Sequence, residues 1–258
     1  MKIGIIQGRL SPPDEGFQEC PADWKREFKI LGRLGLSHVE WIVTKQSFHS
    51  NPIFLRDVRD YPIHSVCADN IVSSLIDNRD FLQHNLFPIC QAALRNDIKS
   101  VTIPLLEDSS LEDDKKLDNF CKSFSYVCAR YPSIKFSLET ELSLSKIPKL
   151  LNVSNNIFLT YDTGNTTSYG ISHEKYILNF SDRITNVHIK DRNLSGTSVP
   201  LLTGDTEFND IFTNLVKNGY KGVYTLQTAR GSSKKEEETI SNHAKIIRRV
   251  YNECKESF

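Results

Sequence analysis

This chain of 258 residues has no CxxC pair, no GxGxxG turn, no excess of either charge and no apolar run of membrane-spanning length. Each absence removes a class. Six cysteines (Cys20, Cys67, Cys90, Cys121, Cys128 and Cys254) are scattered along the chain, which reads as reduced, mostly buried thiols and not as a zinc-thiolate site or a disulfide framework. Lys and Arg number 32 and Asp and Glu 32, so the sequence carries no electrostatic footprint for nucleic acid or an anionic membrane. A membrane helix needs roughly 20 consecutive apolar residues. No such span occurs, and the opening residues resemble a strand more than a signal peptide, so the expected address is the cytoplasm, with neither membrane nor nucleic acid as partner. A doubly wound open sheet usually opens with a glycine-rich first turn. Here Gln7, Gly8, Arg9 and Leu10 lead into Ser11, Pro12 and Pro13 instead.

What is present is an alternation. Strand-like runs fall at 2–9, 37–43, 63–68, 100–105, 136–141, 157–162, 184–193 and 222–227. Between and after them, amphipathic patterns predict helices over 22–34, 79–95, 111–129, 143–151, 173–180, 207–217 and 234–254. Residues 44–60 read as a loop with a short helix broken by Pro52, and Thr163 and Gly164 read as a turn. Eight strand and helix units of about 30 residues each, with no linker between them, predict one domain over 1–258 of class α/β, a (β/α)8 TIM barrel.

Barrel active sites lie at the carboxyl ends of the strands. The last four runs each end there in a side chain with oxygen or nitrogen to offer. In ITNVHIKDRN, strand alternation places Asn186, His188 and Lys190 on one face and Thr185, Val187 and Ile189 on the other. FSLETE puts Ser137, Glu139 and Glu141 on one face. IFLTYD closes on Asp162, and GVYTLQ gives Val223, Thr225 and Gln227 one parity, with Arg230 beyond.

With Glu139, then Asp162 in YDTGN, then VHIKD, and with IGIIQGRLS, IPLLE and VPLLTGDTEF in register, the chain resembles the xylose-isomerase-like TIM barrel superfamily, the AP endonuclease family 2 type. That superfamily includes sugar and sugar-phosphate isomerases and epimerases, inosose dehydratases and endonuclease IV type repair enzymes. The resemblance implies a divalent cation (Mn²⁺, Mg²⁺, Co²⁺ or Zn²⁺) held by one side chain from each of the last four strands. Residue by residue these are Glu139, Asp162, His188 and Gln227.

Gln227 stands where the family has Glu. Its carbonyl oxygen can still coordinate, but an amide brings no charge and cannot act as a base near neutral pH, so a two-base epimerase device is reduced to one base. Asn165 departs in the same way, replacing the His of a DxxH arrangement. The implied activity is enediol proton transfer at a carbohydrate carbonyl, with Glu139 and Lys190 as catalytic groups. The alternatives are a sugar dehydratase or lyase, and a non-catalytic sugar-binding barrel. The near-solitary His188 argues against a repair enzyme, which needs a His-rich cluster of three metals.

Gln7, Arg9, Glu40, Asp69, Asn165 and Arg230 are expected to line the sugar-binding mouth, with an Arg9–Glu40 ion pair as the competing reading. Arg230 and Gly204 fall where barrels often hold phosphate. Packing or surface roles suffice for His38, His49, His64, His84, His173 and His243. The resemblance further implies a homodimer, since dimers are common among relatives.

Overall fold

The computed structural model describes residues 1–13 and 19–256. Seven strands appear in order: β1 (Ile3–Ile6), β2 (Val39–Ile42), β3 (Ile63–Cys67), β4 (Ser100–Leu105), β5 (Lys135–Thr140), β6 (Ile157–Asp162) and β7 (Ile184–Ile189). Next come β8 (Asp191–Arg192) and β9 (Ser198–Val199), a small antiparallel hairpin above the main sheet. The last is β10 (Val223–Leu226), which pairs with both β7 and β1 and closes the wall. All the wall pairings are parallel, in the order β1-β2-β3-β4-β5-β6-β7-β10. This is the (β/α)8 barrel that the alternation predicts.

Outside the wall lie α1 (Trp24–Arg33), α2 (Pro52–Leu55), α3 (Arg79–Arg95), α4 (Asp114–Arg130), α5 (Ile147–Leu151), α6 (Thr163–Ser168), α7 (His173–Phe180), α8 (Phe208–Lys217) and α9 (Glu236–Glu256). Side-chain oxygens cap several of them. Asn78 accepts from Phe81 N at the start of α3, and Asp113 accepts from Lys116 N at the start of α4. Because Asp113 is a cap, α4 opens at Asp114 and not three residues earlier. Pro52 does not break a helix. It begins α2, behind an Asn51 cap, where its missing N–H costs nothing.

The outward faces of the strands bury the apolar residues against these helices. Phe136 on β5 meets Phe124 of α4 edge to face at 5.2 Å, and Trp41 on β2 packs against Trp24 of α1 at 5.1 Å. Each such fully buried large side chain contributes about 1.5–3 kcal/mol.

The inside of the barrel is unusually polar. Thr102 on β4 and Asn186 on β7 both donate to Glu40 on β2, and Ser137 on β5 bonds Thr160 on β6. Neither β4 nor β7 neighbours β2 in the wall, so these bonds cross the interior. A barrel filled mainly by branched apolar side chains would have no such cross-braces.

Two elements go beyond the sequence expectation. TGNTTS forms α6 and not a bare turn, and the polar residues after Lys190 fold back as the β8–β9 hairpin. Both follow the carboxyl ends of β6 and β7.

Candidate metal centre

Glu139, Asp162 and His188 converge at the carboxyl ends of β5, β6 and β7, all buried, with one donor atom from each lying within 4.8 Å of the others. Strand register does this. Asp162 and His188 are direct cross-strand partners, and Glu139 stands one strand further round. His188 Nδ1 lies 3.3 Å from Glu139 Oε2 and 4.0 Å from Asp162 Oδ2.

Asp162 divides its two oxygens between tasks. Oδ1 caps α6, accepting from Asn165 N at 2.7 Å, while Oδ2 has no hydrogen bond and faces the Lys190 ammonium at 3.2 Å. Asn165 then donates from Nδ2 to Glu139 Oε1 at 2.9 Å, so one residue in the first turn of α6 holds both carboxylates in place. Thr163 bonds both the N–H and the C=O of Lys190, fixing the backbone that carries the ammonium.

His188 is 0% exposed, and its other ring nitrogen, Nε2, is 2.7 Å from Glu40 Oε2. Burial alone would lower the imidazole, but the charges of Glu40 and Glu139 and the hydrogen bond to Glu40 outweigh it and raise His188 well above its ordinary value. Burial likewise works against the Glu40 carboxylate. The His188 charge and hydrogen bonds from His188 and Thr102 overcome that, leaving Glu40 at about 2. Asp162 is also held below its usual range: burial opposes ionisation, and Lys190, His188 and the Asn165 N–H more than offset it.

The residues present fit a divalent cation. Among the described residues, Asp162 Oδ2, His188 Nδ1 and Gln227 Oε1 are buried polar atoms without hydrogen-bond partners, although buried groups are as a rule bonded. Three atoms of carboxylate, imidazole and amide type thus lie unsatisfied at successive strand ends, and a Lewis acid would satisfy all of them. Gln227 follows β10 directly, its N–H bonded to Ile189 O, and is 4% exposed.

Other residues expected at the mouth take different positions. Glu40 does not line it. It is 0% exposed, beneath His188, with both oxygens used by Thr102, Asn186 and His188. Nor does it pair with Arg9, whose Nε donates to Thr228 O. Burial and the neighbouring Arg230 charge lower Arg9 to about 9. Arg230 donates to Ser11 O and faces Glu19 at 3.9 Å, so the two arginines tie the segment after β1 to the segment after β10. The cavity they line with Gly231 and Ser233 holds ≈ 50 Å³, against at least ~300 Å³ for a small-molecule site.

Gln7 accepts from Ile42 N and keeps a buried, unbonded Nε2. Asp69, half-buried after β3, is raised to about 6 by burial and by the charges of Glu107 and Glu139. Glu141 stands further out, in a groove with Tyr169 and Lys175.

The loop after β7 offers no phosphate cradle. The amides of Thr203, Gly204 and Thr206 all donate to the buried Asp191 carboxylate, and a side chain at Gly204 would strike it, its Cβ standing 2.4 Å from Oδ1. An anion is already built into that loop. Sequence reading also missed Thr163 and Asn186. The one available signal for Asn186 was its shared parity with His188.

The fold and the strand ends define the class: a closed (β/α)8 barrel whose carboxyl ends gather two carboxylates and an imidazole that could hold a metal ion. The chain belongs to the xylose isomerase-like TIM barrel family, whose model matches residues 86–250. No curated protein sequence matches it. Solved structures of the same fold include the IOLI protein with a binding zinc atom (15% identity, 98% of this chain and 99% of that one, TM-score 0.74). An L-ribulose 3-epimerase is similar at 14% identity, covering 100% of this chain and 97% of that one, with a TM-score of 0.75. The D-allulose 3-epimerase of Methylomonas sp., solved in complex with D-allulose, matches at 15% identity over 97% of both chains, TM-score 0.75.

Proposed function

We propose that this protein is a metal-dependent isomerase or epimerase-like enzyme that moves a proton at the carbon beside a carbohydrate carbonyl. The observation that carries the reading is the set of unbonded ligand atoms, Asp162 Oδ2, His188 Nδ1 and Gln227 Oε1, beside Glu139. A divalent cation bound by Glu139, Asp162, His188 and Gln227 would supply Lewis acidity toward the substrate's oxygens.

The chain's own residues do the rest. Asn165 steers Glu139 by holding Oε1 and leaving Oε2 to the site, and Glu139 takes the proton from one carbon and returns it to the next. Lys190, anchored by Thr163 and Asp162, offsets negative charge developing on the substrate oxygen. Gln227 cannot serve as a second base. That favours one-base aldose-ketose isomerisation over two-base epimerisation. The IOLI zinc and the D-allulose complex support a cation and a sugar of this kind. Because Asp191 fills the loop after β7, an unphosphorylated sugar is the better fit there.

The test is solvent exchange. With Mn²⁺ in D2O, a panel of ketoses and aldoses should gain deuterium at the carbon beside the carbonyl with the parent protein and not with Glu139→Gln. Gln227 itself favours a second reading, a sugar-binding barrel without turnover. In that case ligand binds, no deuterium enters, and Gln227→Glu alters cation affinity without creating exchange.

A further inference from the structure

Beneath His188 a series of hydrogen bonds descends through the barrel, and its direction follows from what each group can donate. Asn186 Nδ2 donates to Glu40 Oε2 at 3.0 Å, so Asn186 Oδ1 is left to accept from Thr225 Oγ1 at 2.9 Å. Thr225 has thereby used its only hydrogen. The same oxygen must accept from His38 Nε2, 3.2 Å away. Ser37 Oγ lies 2.8 Å from His38 Nδ1 and 2.9 Å from Ile3 O; since Ile3 O already accepts from Ser37 N at 2.7 Å, the hydroxyl hydrogen can turn to Nδ1, which then accepts it. Burial, reinforced by the His64 charge, lowers His38 to about 3, which keeps that ring neutral with a single N–H to give.

Every donor in the series therefore points up the barrel, toward Glu40. Glu40 ends it, receiving Asn186, Thr102 and the Nε2–H of His188. The sequence makes room for this arrangement. A Cβ on Gly4, the cross-strand partner of Thr225, would stand 2.4 Å from three ring atoms of His38. An apolar filling would satisfy the same volume without four buried polar groups in one consistent orientation.

We infer that His38, Thr225, Asn186 and Glu40 form a positioning series that holds Nε2 of His188 as a donor to Glu40 and so turns Nδ1 toward the cation. The inference rests on the cation reading above. None of the four touches substrate, and they act only through the orientation of His188.

Thr225 separates this from a purely structural role, because its hydroxyl bonds neither His188, its cross-strand partner through the backbone, nor Glu40, and meets them only through Asn186. Thr225→Val keeps the shape and removes the hydroxyl, and Thr225→Ser keeps the hydroxyl. With Mn²⁺ titrated into each purified full-length protein, Thr225→Val should bind at least about tenfold more weakly than the parent, and Thr225→Ser should recover most of the loss. Urea unfolding of the same samples shows whether binding is compared between folded proteins. Equal Mn²⁺ affinity in parent, Thr225→Val and Thr225→Ser overturns the proposal. If Thr225→Val does not fold, long-range 1H–15N spectra of the unsubstituted metal-free protein decide it. A proton on His38 Nε2 is expected, and a proton on Nδ1 reverses the series and overturns it. A parent that binds no Mn²⁺ removes the cation reading and this inference together. A parent that binds while both variants match it removes this inference alone.

Discussion

Cation binding to this barrel should expel a proton, and the source of that proton can be named. In the cation-free protein His188 sits between Glu40 at 2.7 Å and Glu139 at 3.3 Å, and its affinity for protons is raised well above that of an ordinary imidazole. At an effective dielectric of about 20, unit charges about 3 Å apart attract by about 5 kcal/mol, enough to offset a burial cost of several kcal/mol. The ring is therefore an imidazolium at pH 7. A cation can use Nδ1 only after the proton there has left, while the proton on Nε2 stays with Glu40.

The sign follows directly. Raising the pH removes the competing proton, so Mn²⁺ affinity should rise about tenfold per pH unit while His188 remains protonated in the free protein. Each pH unit in that range is worth about 1.4 kcal/mol. Titration calorimetry in two buffers of different ionisation enthalpy reads the proton directly, with about one released per cation bound. Zero protons released and a Kd unchanged across this interval would refute the reasoning. The same raised affinity stabilises the cation-free fold fully below the ordinary imidazole value near 6.5, and that contribution is lost only as the pH climbs through the higher folded value.

Two further outcomes are expected. Asp69 binds its proton more tightly folded (about 6) than unfolded (3.8), so its contribution to stability is present below about pH 4 and lost as the pH rises through 6. Asp69→Asn should gain up to about 3 kcal/mol over the parent at pH 7.5 and nothing at pH 4 in urea unfolding, and a difference independent of pH would count against this. Asp191→Ala strands the Thr203, Gly204 and Thr206 amides and should cost about 2–4 kcal/mol, with hydrogen exchange quickening over 200–206. Unchanged exchange there would show that the carboxylate does not hold the loop.

How much of this was legible in the sequence depends on which quantity was asked for. Strand alternation tells which side chains enter the barrel, and it brought Glu139, Asp162 and His188 to one interior. It does not tell how high along the axis each one sits, because the stagger between strands sets that. Glu40 shows the consequence: expected at the mouth, it is fully buried against His188 and away from Arg9. His38 lay inside the run at 37–43 and was read as a packing residue; the structure starts β2 one residue later and turns the ring inward, over the glycine at position 4 that admits it. TGNTTS carries no apolar period and little helix propensity. It becomes helical because Asp162 caps it and because Gly164 lets it press against Lys190 and Arg192, contacts made across 26 residues or more.

The double duty of Asp162 has an evolutionary consequence. One oxygen starts α6 and the other faces Lys190 at the proposed cation site, so replacing this aspartate would unravel a helix as well as weaken that site. A lineage abandoning catalysis would keep it for the sake of folding. Gln227, whose Oε1 bonds no other group among the described residues, is under no such constraint, and a drifting site would change there first.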